Sequence, residues 1–236
     1  MDLEISTQLQ AKIGELEELQ KRVLGLAVRM LKAYGGAHYP LDEFALGAVK
    51  RSLSQLSAFR TLIESGNLMC GRAILRMQLD TAMRFAAANL AHDPHEFATQ
   101  VMRGKGINQI KSASGHKMTD GYLVRELTKG HPWFKRVYKT TSGYVHLSEM
   151  HILGAVAKIE EQPKGVEWAL TASDWHLPEE SFVEAVDCFS AATDIFLEYL
   201  EGWVFTKSNP ELVKKLRQSV ECKEEDQKTD KSPTSG

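Results

Sequence analysis

Apolar residues recur at helical spacing along most of this chain. Leu9, Ile13, Leu16, Leu19, Val23, Leu26 and Met30 form one stripe, and Gly35-Gly36 ends it. That period predicts a first helix over residues 3–33. A second is predicted from Leu41 to about Gly66, entered through Pro40 and Asp42. Its interior, Ser52 to Ser57, is small and polar, which suits close approach of a neighbouring helix. A third, from Met69 to Ala91, is apolar nearly all round, with Leu75, Leu79, Ala82, Ala86 and Leu90 on one side and Ile74, Met77, Phe85 and Ala88 elsewhere. Such a helix belongs near the centre of a bundle. His92-Asp93-Pro94 ends it and starts a short fourth helix to about Arg103. Residues 104–118 read as a loop. Thr119 and Asp120 are placed to cap a helix to Lys129. After Gly130, Pro132 opens the next helix, which the pattern carries on through His146.

The period then changes. Ile152 to Ile159 and Val166 to Thr171 are β-prone runs around Pro163-Lys164-Gly165, which predicts a hairpin near residues 152–172. Pro178-Glu179-Glu180 starts a long last helix through Phe182, Val186, Phe189, Ile195 and Leu200 to about Phe205. Residues 222–236 hold too few apolar side chains to build a core and are expected to be disordered. The expected architecture is mainly α. One helical-bundle domain spans 1–206, with a single small hairpin, and 207–236 form a polar tail.

Composition narrows this picture only modestly. The chain has 236 residues, 43% apolar and 25% charged, the range of a soluble domain with one core. Its net charge of -2 creates no global field toward nucleic acid or an acidic membrane. Cys70, Cys188 and Cys222 are odd in number and far apart, which suits a reducing compartment. No apolar run approaches the roughly 20 residues of a membrane span, and Met1-Asp2-Leu3-Glu4 is not the basic start of a signal peptide. A cytoplasmic protein without membrane contact is expected. No dinucleotide fingerprint, phosphate-binding loop, Gly-x-Ser-x-Gly or Cys-x-x-Cys occurs, so no cofactor or metal is expected.

Two rows of polar residues carry the candidate chemistry. On the helix after Pro132, Tyr138, Ser142 and His146 fall within roughly 80° of arc. Phe134, Val137 and Val145 form the neighbouring buried face, and Lys135 and Lys139 the other flank. His146 is thereby placed where core meets solvent, a position in which an imidazole exchanges protons. The three residues read either as interhelical hydrogen-bonding groups or as a catalytic set with His146 as base. On the third helix, Arg72, Arg76, Asp80 and Arg84 recur every four residues. They read either as a self-paired, solvated face or as a cleft lining in which guanidinium forks hold phosphate. The anion-binding set is then Arg76, Asp80 and Arg84, with Lys139. His151 lies about 140° round a straight helix from His146, so the two do not share a metal there.

The segments Leu75 to Arg84 and Tyr138 to Ser148 resemble two signature stretches of the HEPN-like group and related bacterial all-helical families, over roughly residues 45–150. The resemblance implies a helical bundle. Many HEPN proteins are metal-independent ribonucleases with an Arg and a His four to six residues apart. Here the corresponding positions hold Lys139, Thr140 and Thr141, while Arg125 and His131 keep a five-residue gap across Gly130. Non-catalytic binding members of the group fit that departure. Three functions are thus expected of different classes. The first is a helical binding or interaction module with a protein partner or a second copy, in a bacterial stress or phage-defence system. The second is a ribonuclease acting on RNA with His146 as general base. The third is an anion- or nucleotide-binding bundle. The last two require His146 to face the Arg76/Arg84 row across an open cleft.

Overall fold

The structure is a computed structural model and describes residues 6–160 and 165–215. α1 (Thr7–Lys32) begins where Ser6 Oγ accepts a hydrogen bond from Leu9 N at 3.1 Å. Its predicted stripe is buried throughout. A 3₁₀ turn (Ala33–Gly36) leads to α2 (Pro40–Glu64) and α3 (Leu68–Leu90). Asn67 caps α3, its Oδ1 accepting from Cys70 N at 3.0 Å. α4 (Pro94–Met102) follows an Asp93 cap. The expected loop then holds one 3₁₀ turn (Ile107–Gln109) and a bridge between Lys111 and Lys117. α5 (Asp120–Gly130) is capped by Thr119, as its sequence predicts. α6 (Phe134–Ser142), α7 (Glu149–Gly154), β1 (Val156–Glu160), β2 (Gly165–Trp168) and α8 (Glu179–Ser208) complete the order.

α3 is the central helix. It packs against α2 and α8 and also touches α4, α5 and α6. Leu79, Ala82, Met83 and Ala87 have no exposed surface. Phe59 of α2 stacks on Phe189 of α8 at 4.2 Å between ring centroids, and Phe85 meets Phe196 edge-on at 5.1 Å. Each such side chain contributes about 1.5–3 kcal/mol by leaving water. Of the small polar interior of α2, Ser52 and Gln55 lie in this core, while Ser54 and Ser57 are exposed. Gln78 Nε2 donates to Ser52 Oγ and to Thr193 Oγ1, both at 3.0 Å, and Thr81 Oγ1 donates to Gln55 Oε1 at 2.9 Å. These bonds fix the register of three helices where apolar contact alone would let them slide.

Three boundaries differ from the sequence expectation. α6 stops at Ser142, so His146 is not on it. Residues 149–154, partly assigned to the hairpin, form α7; the antiparallel strands start at Val156, pairing it with Trp168 and Ile159 with Val166. Ser148 explains the helix, since it caps α7 by accepting from Met150 N. The expected Pro163-Lys164 turn lies outside the described residues. Finally, the last helix extends past its expected end near Phe205. α8 runs through Ser208, and Lys207 is fully buried, donating to Asp42 Oδ2 at 2.9 Å and to the Met30 carbonyl at 3.0 Å. Residues 210–215 are again helical, and the expected disorder of 222–236 falls outside the described residues.

Candidate functional site

The end of α6 builds the site. Thr140-Thr141-Ser142-Gly143 is a poor helical sequence: two β-branched residues, a serine and a glycine. The hydroxyls of Thr141 and Ser142 turn back onto the carbonyls of Val137 and Tyr138, each at 2.7 Å. The chain then folds through a turn in which Ser148 Oγ donates to the Gly143 carbonyl at 2.8 Å. A Cβ on Gly143 would lie 3.0 Å from Met150 Cγ and 3.2 Å from Ser148 Oγ, a contact tight enough that these side chains would have to give by a few tenths of an ångström. His146 lies in that turn and is exposed.

The turn brings His146 back beside α3. A cleft of about 200 Å3 is lined by Arg51, Arg76, Asp80, Ser142 and His146, with Met77 and Val145 as its apolar walls. The two polar rows therefore meet. Arg76 Nε donates to Ser142 Oγ at 3.3 Å, and its guanidinium carbon is 3.7 Å from the centroid of the Tyr138 ring. One turn along α3, Arg72 Nη1 donates to Tyr144 OH at 2.6 Å and lies 5.1 Å from that ring. Two arginines thus rest on two tyrosines, a contact worth about 0.5–2 kcal/mol each.

The remaining members of the α3 row are engaged differently. Arg84 Nε donates to Asp80 Oδ1 and Arg84 Nη2 to Asp120 Oδ1, each at 2.9 Å. Arg51 Nη2 donates to the other oxygen of Asp80 at 3.3 Å, and Tyr138 OH donates to Asp120 Oδ2 at 3.1 Å. Partial burial opposes the charge on Arg84, but the two carboxylates outweigh it and hold its pKa above the usual value. Burial, reinforced by Asp120, raises the Tyr138 pKa, so this ring stays a neutral phenol that donates to the carboxylate. Arg84 and Asp80 are consequently the locked part of the row. Among the described residues, α3 forms ion pairs through Asp80 and Arg84 alone, and neither Arg72 nor Arg76 lies within ion-pair distance of a carboxylate. The two terminal nitrogens of Arg76 meet no hydrogen-bond partner among the described residues, and they lie beside an exposed imidazole.

Lys139, assigned to the anion set by spacing, is exposed and does not line this cleft. Arg125 and His131 are engaged separately: Arg125 with Glu126 and the Tyr122 ring, His131 with Glu198 across 3.6 Å. His151 Nδ1 accepts from Ser148 N at 3.2 Å and serves the start of α7. No group of three or more His, Cys, Asp or Glu among the described residues is disposed to hold a metal. Arg51, Asp120 and Tyr144 are the members that spacing did not single out. Asp120 carried only a capping signal. Arg51 reaches Asp80 from another helix, 29 positions away, and no local pattern encodes that pairing.

No family model, curated protein or solved structure matches the chain. No helix among the described residues is long and apolar enough to cross a membrane. The site therefore stands on its own geometry: a small, open, cationic crevice on an α-helical bundle.

Proposed function

We propose that this protein is a helical binding module that holds a phosphate-bearing ligand, such as a nucleotide, in the cleft between α3 and the turn after α6. The observation that carries this reading is the state of Arg76. Its stacking on the Tyr138 ring and its single bond to Ser142 fix the guanidinium plane, while no carboxylate among the described residues forms an ion pair with it. A fixed guanidinium fork offers two parallel N–H groups to a phosphate, and the exposed His146 adds a further donor at the same opening. Asp80 does not repel the ligand strongly, because Arg51 and Arg84 share its charge. The free thiols of Cys70 and Cys188 suit the expected cytoplasmic setting. A role in a bacterial stress or phage-defence system with a protein partner or second copy remains compatible with the exposed apolar stripe Leu24, Val28 and Leu31 on α1.

The test is a titration of the full-length protein with AMP and with adenosine, followed by melting temperature and calorimetry. AMP raises the melting temperature and adenosine does not. Arg76→Gln lowers AMP affinity roughly ten- to hundredfold, as loss of a hydrogen bond between charged groups costs about 1.5–3 kcal/mol. Arg76→Lys keeps the charge but loses the fork, and falls between. Equal binding of AMP and adenosine, or none of either, overturns the reading.

A second reading has one specific support. His146 shares the cleft with Arg76 and Ser142, which is the arrangement an RNA-cleaving, HEPN-like site needs: a base beside a phosphate-holding cation. Incubation with RNA separates the two readings. Cleavage that His146→Ala abolishes supports the ribonuclease, whereas cleavage that survives His146→Ala ends it.

A further inference from the structure

On the opposite flank of α6 lies a second cavity, of about 270 Å3, between α3, α6 and the first turns of α8. It shares no lining residue with the His146 cleft. That size is near the lower end for ligand pockets, so its occupant is small. One wall is apolar and continuous with the core: Leu75, Val137 and Ala185 are buried, and Met150 closes the side toward α7. The charges are Arg72, Arg136 and Glu184. Among the described residues none of the three has an ion-pair partner, although Arg136 and Glu184 line the same cavity. Arg72 is the anchored one. Tyr144 OH accepts from its Nη1 at 2.6 Å and leaves the other guanidinium N–H groups available.

From these groups we infer a binding site for a small monocarboxylate with an aliphatic or aromatic body. The charge balance selects this class. Two arginines and one glutamate leave the cavity with one positive charge, which one carboxylate cancels. Arg72 is half-buried and carries no ion pair among the described residues, so a carboxylate that reaches it exchanges part of its hydration for charge-assisted hydrogen bonds in a partly desolvated site. A carboxylate matches the planar fork of Arg72 in two parallel hydrogen bonds, and the hydrocarbon body then covers Leu75, Val137 and Ala185. Cys188 lines the same wall. Burial, with the Glu184 charge, pushes its thiol up to about 11, so this wall stays uncharged at neutral pH.

The probe is a matched pair, 3-phenylpropanoate and 3-phenylpropanamide, each titrated into the full-length protein at millimolar concentration. The carboxylate raises the melting temperature and the amide does not. Arg72→Gln weakens carboxylate binding at least tenfold. Thr140→Trp, at the exposed edge of the cavity, blocks it without altering any charge. His146→Ala leaves carboxylate binding unchanged, which separates this site from the phosphate cleft. Equal binding of acid and amide, binding that survives Thr140→Trp, binding lost in His146→Ala, or no response to either probe overturns the assignment. The comparison of acid with amide on the unaltered protein holds even if a variant fails to fold.

Discussion

Asp42 and Lys207 show how firmly single residues are committed in this protein. Both are fully buried. Asp42 accepts from Tyr39 N and Trp203 Nε1, each at 2.8 Å, and from Lys207 Nζ. The pair joins the start of α2 to the end of α8. Lys207→Met leaves the carboxylate without its cation and should cost about 3–5 kcal/mol in urea denaturation. The double variant Asp42→Asn with Lys207→Met should cost less than the sum of the two single changes, since it removes both charges. Additive losses would show that the two charges do not depend on each other. At Cys188 the consequence is chemical. With its pKa raised to about 11 from 9.0, it carries about a hundredfold less thiolate at pH 8. Iodoacetamide should label the exposed Cys70 well before Cys188, as read by mass spectrometry. The sign for stability follows. Between pH 9.0 and about 11 the folded chain keeps a proton that the unfolded chain releases, so this group's contribution to stability falls as pH rises through that window. Equal labelling of the two thiols would contradict the burial of Cys188.

At the scale of elements, connections decide where the functional groups end up. The turn between α2 and α3 is one such point. Gly66 has φ +75, its carbonyl accepts from Asp174 N at 2.7 Å, and the Trp175 ring fills the space a Cβ would need. Asp174 in turn accepts from Met69 N at 2.8 Å, and Trp175 stacks on Phe182 at 4.8 Å. The segment after the hairpin is thereby pinned onto the bundle. Gly66→Ala combines a strained backbone with a clash against Trp175, and should cost more than about 2 kcal/mol in thermal unfolding. A change under about 0.5 kcal/mol would show that the segment is loosely held. The helices themselves were legible in the sequence, because stripes such as Leu9 to Met30 and Leu75 to Ala86 have a single possible periodicity. The end of α6 was less so. Continuing about 100° per residue past Gly143 placed Tyr138, Ser142 and His146 on one face. Propensity and back-bonding hydroxyls stop the helix four residues before His146. The residue reaches the same cleft by a turn instead, and Tyr144 arrives with it.

For the whole molecule, the bundle sets one face of α3 against α6 and the turn that follows it. α3 is central because it is apolar on nearly every side, and its charged row meets α6 through Arg76, α2 through Asp80 and α5 through Arg84. Which cations stay open was not readable from spacing. Arg72, Arg76 and Arg84 lie on the same row in the sequence, yet among the described residues only Arg84 forms ion pairs with carboxylates, one of them on α5. That difference comes from the tertiary arrangement of three helices. The most direct test is an NMR titration that follows the His146 imidazole signals, assigned with His146→Asn, as AMP or adenosine is added. A cleft that holds phosphate between Arg76 and His146 predicts saturable movement of these signals with AMP, none with adenosine, and a loss of the AMP effect in Arg76→Gln. His146 signals that stay in place with AMP, or that move equally with adenosine, would contradict the account.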